Sequence, residues 1–276
     1  DYLGVELLNI TNLTYQHKNA EAMYTYSMSV KPKEIVAILG QSGSGKSTLL
    51  DLIAGFLNAE NGSIKLDENE LTSESVEKRP VTILFQNHNL FEHLSVQKNI
   101  LLGVSKSLKS SKEELAKVKI ILHEVGLQKF EDTPVSSLSG GQQQRVAIAS
   151  VLSMQPDIMV LDEPTSFLDP VGAEKIFKVI NDLNKKLGIT IILVEHRMDL
   201  AAKYANKVIV MNEGTVALAG TPRDIFTSEK ARLIGVGIPK ATKLYQHLKR
   251  EGVTLKTVPV TTEETANLLL EMLKHD

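Results

Sequence analysis

Three stretches of this sequence hold residues of the types and spacing needed to act on a phosphorylated substrate. The first is Gly40-Gln41-Ser42-Gly43-Ser44-Gly45-Lys46-Ser47-Thr48. Its glycines let the backbone curl so that successive N–H groups point into one concavity. It follows the apolar run Ile35–Leu39 and precedes the helix-like Leu49–Ala54. A buried strand, a glycine-rich turn and a helix start are the context in which this pattern binds phosphate. The helix beginning near Lys46 adds the positive end of its dipole. Lys46 is then placed to reach the terminal phosphates of a nucleotide, and the Ser47 hydroxyl to ligate Mg²⁺.

The second stretch is Asp162-Glu163, closing the apolar run Ile158-Met159-Val160-Leu161. A carboxylate at a strand end is what a phosphate loop needs to hold Mg²⁺, and Asp162 fits that position. Glu163 stands next, where it could orient and deprotonate an attacking water. The third is Leu138 to Ala149, a Ser-Gly-Gly loop running into a helix whose first turn carries no bulk. Free N–H groups, a hydroxyl and a dipole end make it an anion site. One chain thus carries two phosphate-binding elements, yet a nucleotide has one γ-phosphate. The economical arrangement is that each completes a site with a different subunit.

The elements that position these residues follow from periodicity. Val5–Ile10, Leu13–Tyr15 and Met28–Val30 read as short strands, and Lys31-Pro32-Lys33-Glu34 as a turn into the strand before the phosphate loop. Gly62–Leu66 and Val81–Phe85 are further strands, with Gln86 at the carboxyl end of the latter. Residues 95–135 lack strand signals and carry the stripe Leu115, Val118, Leu122, Val125, with a capping box expected at Ser110/Glu113 and Gly126 as the stop. The strand–helix alternation returns with Ile158–Leu161, a helix opened by Asp169-Pro170 and closed by Gly188, and the strand Thr190–Val194. Lys207–Met211 and Thr215–Leu218 form a hairpin through Asn212-Glu213-Gly214. A mostly parallel sheet with helices on both faces is expected. Beyond residue 221, Thr242–Leu248 reads as helix. Thr261/Glu264 cap another, whose stripe Ala266, Leu269, Leu270, Leu273 is expected to pack on its own domain.

The composition bounds the class. At 276 residues, 42% hydrophobic and 23% charged, the chain has room for an ample core. A net charge of −2 argues against a broad nucleic-acid-binding face. With no cysteine there is no disulfide or thiolate metal site, which fits a reducing compartment. No apolar run approaches the roughly 20 residues of a membrane helix, so work at a membrane requires a partner that spans it. There is no basic-then-apolar leader at the start.

Six motifs in family order resemble the ATP-binding cassette (ABC) family. They are Gly40–Thr48, Gln86, Leu138–Gln142, Val160–Thr165, Ser166–Asp169 and Glu195-His196. The resemblance covers residues 1 to about 235. It implies an α/β fold with a P-loop NTPase (RecA-like) core, an antiparallel β subdomain and an α-helical subdomain inserted at about 87–155. Residues 236–276 then form a small C-terminal helical extension. By that resemblance Gln86 touches Mg²⁺ or the water and reports to the insert. Glu163 is the general base, His196 contacts the γ-phosphate, and Asp169 lies in the loop that crosses a dimer interface. Ser139, Gly140, Gly141 and Gln142 bind the γ-phosphate of ATP held by the opposite subunit. The family stacks adenine on an aromatic side chain, and counting back from the phosphate loop reaches His17, with Tyr15 two residues earlier. Either ring can serve.

A narrower resemblance, in Val194–Asp199 and Ile238–Leu244, is to the ATPase subunits of energy-coupling factor importers for vitamins and metal ions. Those pair two related cassettes beneath a membrane coupling protein, alongside a substrate-binding membrane subunit. Some members carry both cassettes in one chain, which suits termini at Asp1 and Asp276. The stretch Asn87–Glu92 departs from that group, which has a proline soon after the glutamine; Phe91–Val96 resembles ABC importers generally. The expectation is an ATPase using ATP and Mg²⁺ at the cytoplasmic face of the cell membrane, as a homo- or heterodimer of cassettes. Its rivals are a soluble ABC ATPase not involved in transport, a subunit that binds ATP without hydrolysing it, and a kinase-like phosphotransferase. The coiled-coil arms or basic linker of the first are not visible in the sequence. An intact Glu163 and His196 weigh against the second, and the Ser-Gly-Gly stretch against the third.

Overall fold

The fold is built outward from strand β3 (Ile35–Gly40), which carries the phosphate loop at its carboxyl end. The computed structural model describes residues 7–18, 22–86, 90–105 and 110–274. Along β3, Ile35, Ala37 and Leu39 enter one buried core while Val36 and Ile38 enter another. The period of two puts successive side chains on opposite faces, so a strand covered on both sides reads as continuous aliphatic sequence. Strands β8 (Thr190–Val194) and β9 (Lys207–Asn212) run parallel on either side of β3. Strands β7 (Ile158–Asp162) and β6 (Val81–Leu84) continue the parallel block.

The same sheet continues as mostly antiparallel structure. The order is β5-β4-β1-β2-β10-β9-β3-β8-β7-β6, with β1 (Leu8–Gln16), β2 (Met23–Val30), β4 (Asn61–Leu66), β5 (Asn69–Glu70) and β10 (Thr215–Gly220). Among the described strands of this part, β10 and β2 alone pair in parallel. The parallel part is therefore half of a ten-stranded sheet rather than most of it. The first two expected strands are one: β1 runs unbroken past a bulge between Ile10 and Leu13, where Asn12 takes φ +46° and donates its N–H to the Ser27 hydroxyl. Val5 and Glu6 lie outside the described residues. Strand β2 begins at Met23 rather than at the expected Met28, because Met23 to Tyr26 also pair with β1.

Helix α1 (Lys46–Ala54) packs on one face of the sheet, and α5 (Pro170–Leu187) on the other. Between β6 and β7 stand α2 (Val96–Val104), α3 (Lys112–Glu124) and α4 (Gly140–Leu152), sharing a third core around Val118, Leu122 and Val146. The α3 cap is Ser111 with Glu114, one residue later than the expected Ser110/Glu113 pair. The sequence satisfies the spacing at both serines. Helix α3 starts where the Glu114 carboxylate accepts from the Ser111 N–H at 2.7 Å.

After β8 come α6 (Met198–Tyr204), then α7 (Pro222–Thr227), α8 (Glu229–Leu233), α9 (Lys240–Arg250) and α10 (Thr262–Leu273). The sequence reading had not separated α6, α7 and α8. The Lys240 N–H donates to Asp199 at 2.7 Å and Arg223 pairs with Glu264 at 2.7 Å, tying α9 and α10 to the body. Most of the α10 stripe does not pack as expected: Leu269 is half-buried, but Ala266 is exposed, and Leu270 and Leu273 are 55% and 67% exposed. Thr265 faces inward instead, its hydroxyl donating to the Thr261 carbonyl. No described helix is long and apolar enough to cross a membrane.

Candidate active site

The phosphate loop is held open by what surrounds it. Gly45, with φ +95°, is the residue before α1, and no side chain caps that helix start. The first N–H groups of α1 are therefore left for a ligand. A Cβ at Gly45 would lie 2.8 Å from the Tyr26 hydroxyl oxygen and as close to the Tyr24 ring. The Tyr26 hydroxyl donates to the Gly45 carbonyl at 3.0 Å, and burial holds this phenol above its ordinary pKa, so it stays a donor. Two tyrosines on alternate positions of β2 thus support the turn, a role that sequence reasoning missed. Lys46 donates to the Gly40 and Gln41 carbonyls at 3.0 and 2.8 Å. Burial pulls its ammonium below the usual lysine value, opposed by the nearby carboxylates of Glu163 and Asp162. The Ser44 hydroxyl is buried with no hydrogen-bond partner among the described residues.

Across the loop mouth lie the residues of the β7 and β8 ends. The Ser47 hydroxyl donates to Asp162 at 3.3 Å, across 115 residues of sequence. Burial raises the Asp162 pKa and the Glu163 charge raises it further, against the hydrogen bond from Ser47. The half-buried Asp162 carboxylate beside that of Glu163 and the Ser47 hydroxyl is a hard-oxygen donor set whose chemistry fits Mg²⁺. Glu163 sits at φ +48°, a strained conformation for a non-glycine residue. That backbone aims its carboxylate at His196, whose Nε2 lies 2.7 Å from Oε1. Gln86 donates to the other Glu163 oxygen at 3.3 Å and to the Ser166 hydroxyl at 3.4 Å. Residues 86, 163 and 196 come from three separate loops and meet at one carboxylate. The arrangement can hold a water against a terminal phosphate and accept its proton.

His17, one of the two expected adenine rings, is exposed, and its Nε2 lies 3.1 Å from the Thr48 hydroxyl at the start of α1. Tyr15 is half-buried and meets His17 edge-on, with ring centroids 4.8 Å apart.

The Ser-Gly-Gly stretch forms a second opening, a cavity of about 390 Å³ lined by Ser139 to Gln142 and by Leu168, Asp169 and Lys175. No phosphate-loop residue lines it. A Cβ on Gly141 would meet nothing within 4 Å, so packing within this chain does not require glycine there. The Ser139 hydroxyl expected at this anion site is engaged within the chain: the Gln142 carbonyl oxygen accepts from it at 3.0 Å and from the Ser139 N–H at 2.9 Å. Asp169 caps α5 by accepting from the Gly172 N–H at 2.8 Å. The exposed Phe167 and Val171 flank it. A third opening, about 510 Å³, lies between α1, β6 and the helices α2 and α4, with Phe56, Phe91 and Met154 exposed at its rim. Residues 87–89, in the stretch that departs from the energy-coupling factor pattern, lie outside the described residues.

Known proteins agree with this geometry. The sequence model of the family described as ABC transporter matches residues 24–166. The chain is 36% identical over 280 residues to the energy-coupling factor transporter ATP-binding protein EcfA2 of Clostridioides difficile, covering 96% of this chain and 97% of that protein. It superposes on cbiO1 from Clostridium perfringens, described as part of the ABC transporter complex cbiONQ, with a TM-score of 0.76 at 34% identity, covering 90% of this chain and 98% of that one. The dimeric post-hydrolysis cassette MJ0796 bound to ADP and Pi is similar at 29% identity and a TM-score of 0.67, over 78% of this chain and 99% of that one. A phosphate loop, a glutamate–histidine pair and a Ser-Gly-Gly helix start on a cassette fold, in a chain so similar along nearly its whole length to energy-coupling factor ATP-binding subunits, make this protein a member of the ABC transporter family, an ATP-hydrolysing cassette that drives transport.

Proposed function

We propose that this chain is one of two cassettes in an energy-coupling factor importer for a vitamin or metal ion, working at the cytoplasmic face of the membrane. The observation that carries the catalytic reading is Glu163, bracketed by His196 at 2.7 Å and Gln86 at 3.3 Å beside the Ser47–Asp162 pair. The triphosphate lies over Gly40 to Thr48, and Lys46 exchanges the Gly40 and Gln41 carbonyls for phosphate oxygens. Ser47, Asp162 and Gln86 would hold Mg²⁺, which supplies charge neutralisation at the phosphates. Glu163 accepts the proton of the attacking water, while His196 fixes that carboxylate and contacts the γ-phosphate. The γ-phosphate is also bound by Ser139, Gly140, Gly141 and Gln142 of the opposite cassette, for which Ser139 must release Gln142. A dimeric cassette among the similar structures supports this pairing.

Residues 1–235 act as the cassette, with the helices of 87–155 as its docking part, and 236–276 as an accessory extension. The 510 Å³ groove would receive a cytoplasmic helix of the membrane coupling subunit, because its rim is apolar and aromatic. A separate membrane subunit selects the solute, and no nucleic acid is involved. Glu163→Gln tests the scheme: turnover should fall by about a thousandfold or more while ATP still binds and the ATP-bound dimer accumulates. Steady-state phosphate release at the native rate would remove Glu163 from the role of base.

A further inference from the structure

Glu195 is a charged side chain only 3% exposed, and the hydrolytic scheme gives it no task. It follows β8, whose five residues Thr190–Val194 are all buried. An ionised carboxylate in that position is strongly unfavourable unless its oxygens are hydrogen-bonded. Its partners are specific. Oε1 accepts from the backbone N–H groups of His196 at 2.9 Å and Arg197 at 3.0 Å. Oε2 accepts from the hydroxyl of Thr165 at 2.7 Å, and Thr165 has no exposed surface. Arg197 adds a second tie, donating from Nη2 to the Thr165 carbonyl at 3.4 Å and to the Leu168 carbonyl.

Both ties join the same two segments. One is the turn that carries His196. The other is the loop from Glu163 to Asp169, which leads from the attacking-water carboxylate to the edge of the Ser139–Gln142 cavity. A carboxylate that merely capped the turn before α6 would need only the two local N–H contacts. The contact to Thr165, thirty residues away, is what such a cap would lack.

We propose that Glu195 is a positioning residue for ATP hydrolysis. With Arg197 it locks the His196 turn to the Glu163–Asp169 loop, which holds the imidazole within reach of Glu163. This rests on the reading of Glu163 and His196 as the hydrolytic pair.

The test uses the full chain in its ATP-hydrolysing assembly, with kcat and the KM for ATP measured for Glu195→Ala, Glu195→Gln, Arg197→Met and His196→Ala. Glu195→Ala should lower kcat by about tenfold or more with KM within about twofold, since the phosphate loop does not touch the lock. Glu195→Gln should return kcat to within about threefold of native, because its amide oxygen accepts from both N–H groups and its NH₂ donates to the Thr165 hydroxyl. Adding Glu195→Ala to His196→Ala should cost nothing further. Native kcat in Glu195→Ala, a parallel loss of kcat and ATP binding, or a glutamine variant as inactive as alanine overturns the proposal. If Glu195→Ala does not fold, Arg197→Met decides: a several-fold fall in kcat at constant KM supports the lock and a native kcat refutes it. A fully active His196→Ala removes the underlying reading of the histidine, and the proposal with it. An inactive His196→Ala beside a native Glu195→Ala removes the proposal alone.

Discussion

His17 stands exposed beside the phosphate loop, while Tyr15 is half-buried with its ring edge-on to the histidine. A base stacks on a face that solvent can reach, and stacking of this kind is worth about 1–3 kcal/mol by alanine substitution. His17→Ala should therefore raise the Kd for ATP by about tenfold, and Tyr15→Ala should act chiefly through the folding of β1. An ATP titration of both variants checks this; equal losses would point to a shared platform. Sequence alone left the two rings level because spacing fixes a strand position but not its exposure. Lys46, Ser47 and Asp162 were legible for the opposite reason: each belongs to a local strand-end pattern whose geometry follows from the backbone. The meeting of His196 with Glu163 joins residues 33 apart; family resemblance placed both near the γ-phosphate but did not pair them. Glu195 was quoted as part of a motif without a role, because only the burial of its side chain and the Thr165 contact reveal one.

Helix starts are the elements that place these residues, and their caps make the fold sensitive to acid. The Glu114 carboxylate is held below the ordinary range chiefly by the backbone N–H of Ser111, and that of Asp224 by the Thr221 hydroxyl and then its N–H. Because these pKa values are lower folded than unfolded, the stabilisation is complete above the ordinary carboxylate value of about 4 and disappears as pH falls through the folded values. The Tm advantage of the native chain over a Glu114→Gln/Asp224→Asn variant should be constant from about pH 8 to 5 and close on further acidification. Thermal melts across that range check it, and a gap that widens in acid would reverse the sign. At this scale the sequence told most about α5, where Asp169, Pro170 and Gly188 punctuate both ends as expected. It told less about α10, since a helical stripe shows that a face is apolar but not what covers it. Helices of five to seven residues, such as α6, α7 and α8, are too short for periodicity to register.

The two elements proposed to bind phosphate open onto different spaces, and this separation governs how the whole chain should respond to substitution. Lys46 lies within the phosphate loop, whereas Gly141 borders a cavity that the loop does not line. The space beside Gly141 is open in the chain, so an aspartate can be added there without disturbing the fold. It would, however, place a negative charge where the γ-phosphate of a facing subunit arrives. In a dilute, monomeric sample Gly141→Asp should bind ATP as tightly as the native chain, and Lys46→Ala should bind it about tenfold or more weakly. In the assembled ATPase both should lose turnover, Gly141→Asp by about a hundredfold or more, on the scale of losing a positioned donor and gaining repulsion. Turnover per native chain should also fall as the cassettes are diluted, because an incomplete site cannot hydrolyse alone. The ATP titration and the rate-against-concentration series discriminate sharply. A Gly141→Asp monomer that loses ATP affinity would place both elements around one nucleotide, and a rate per chain independent of dilution would make the single copy a complete enzyme.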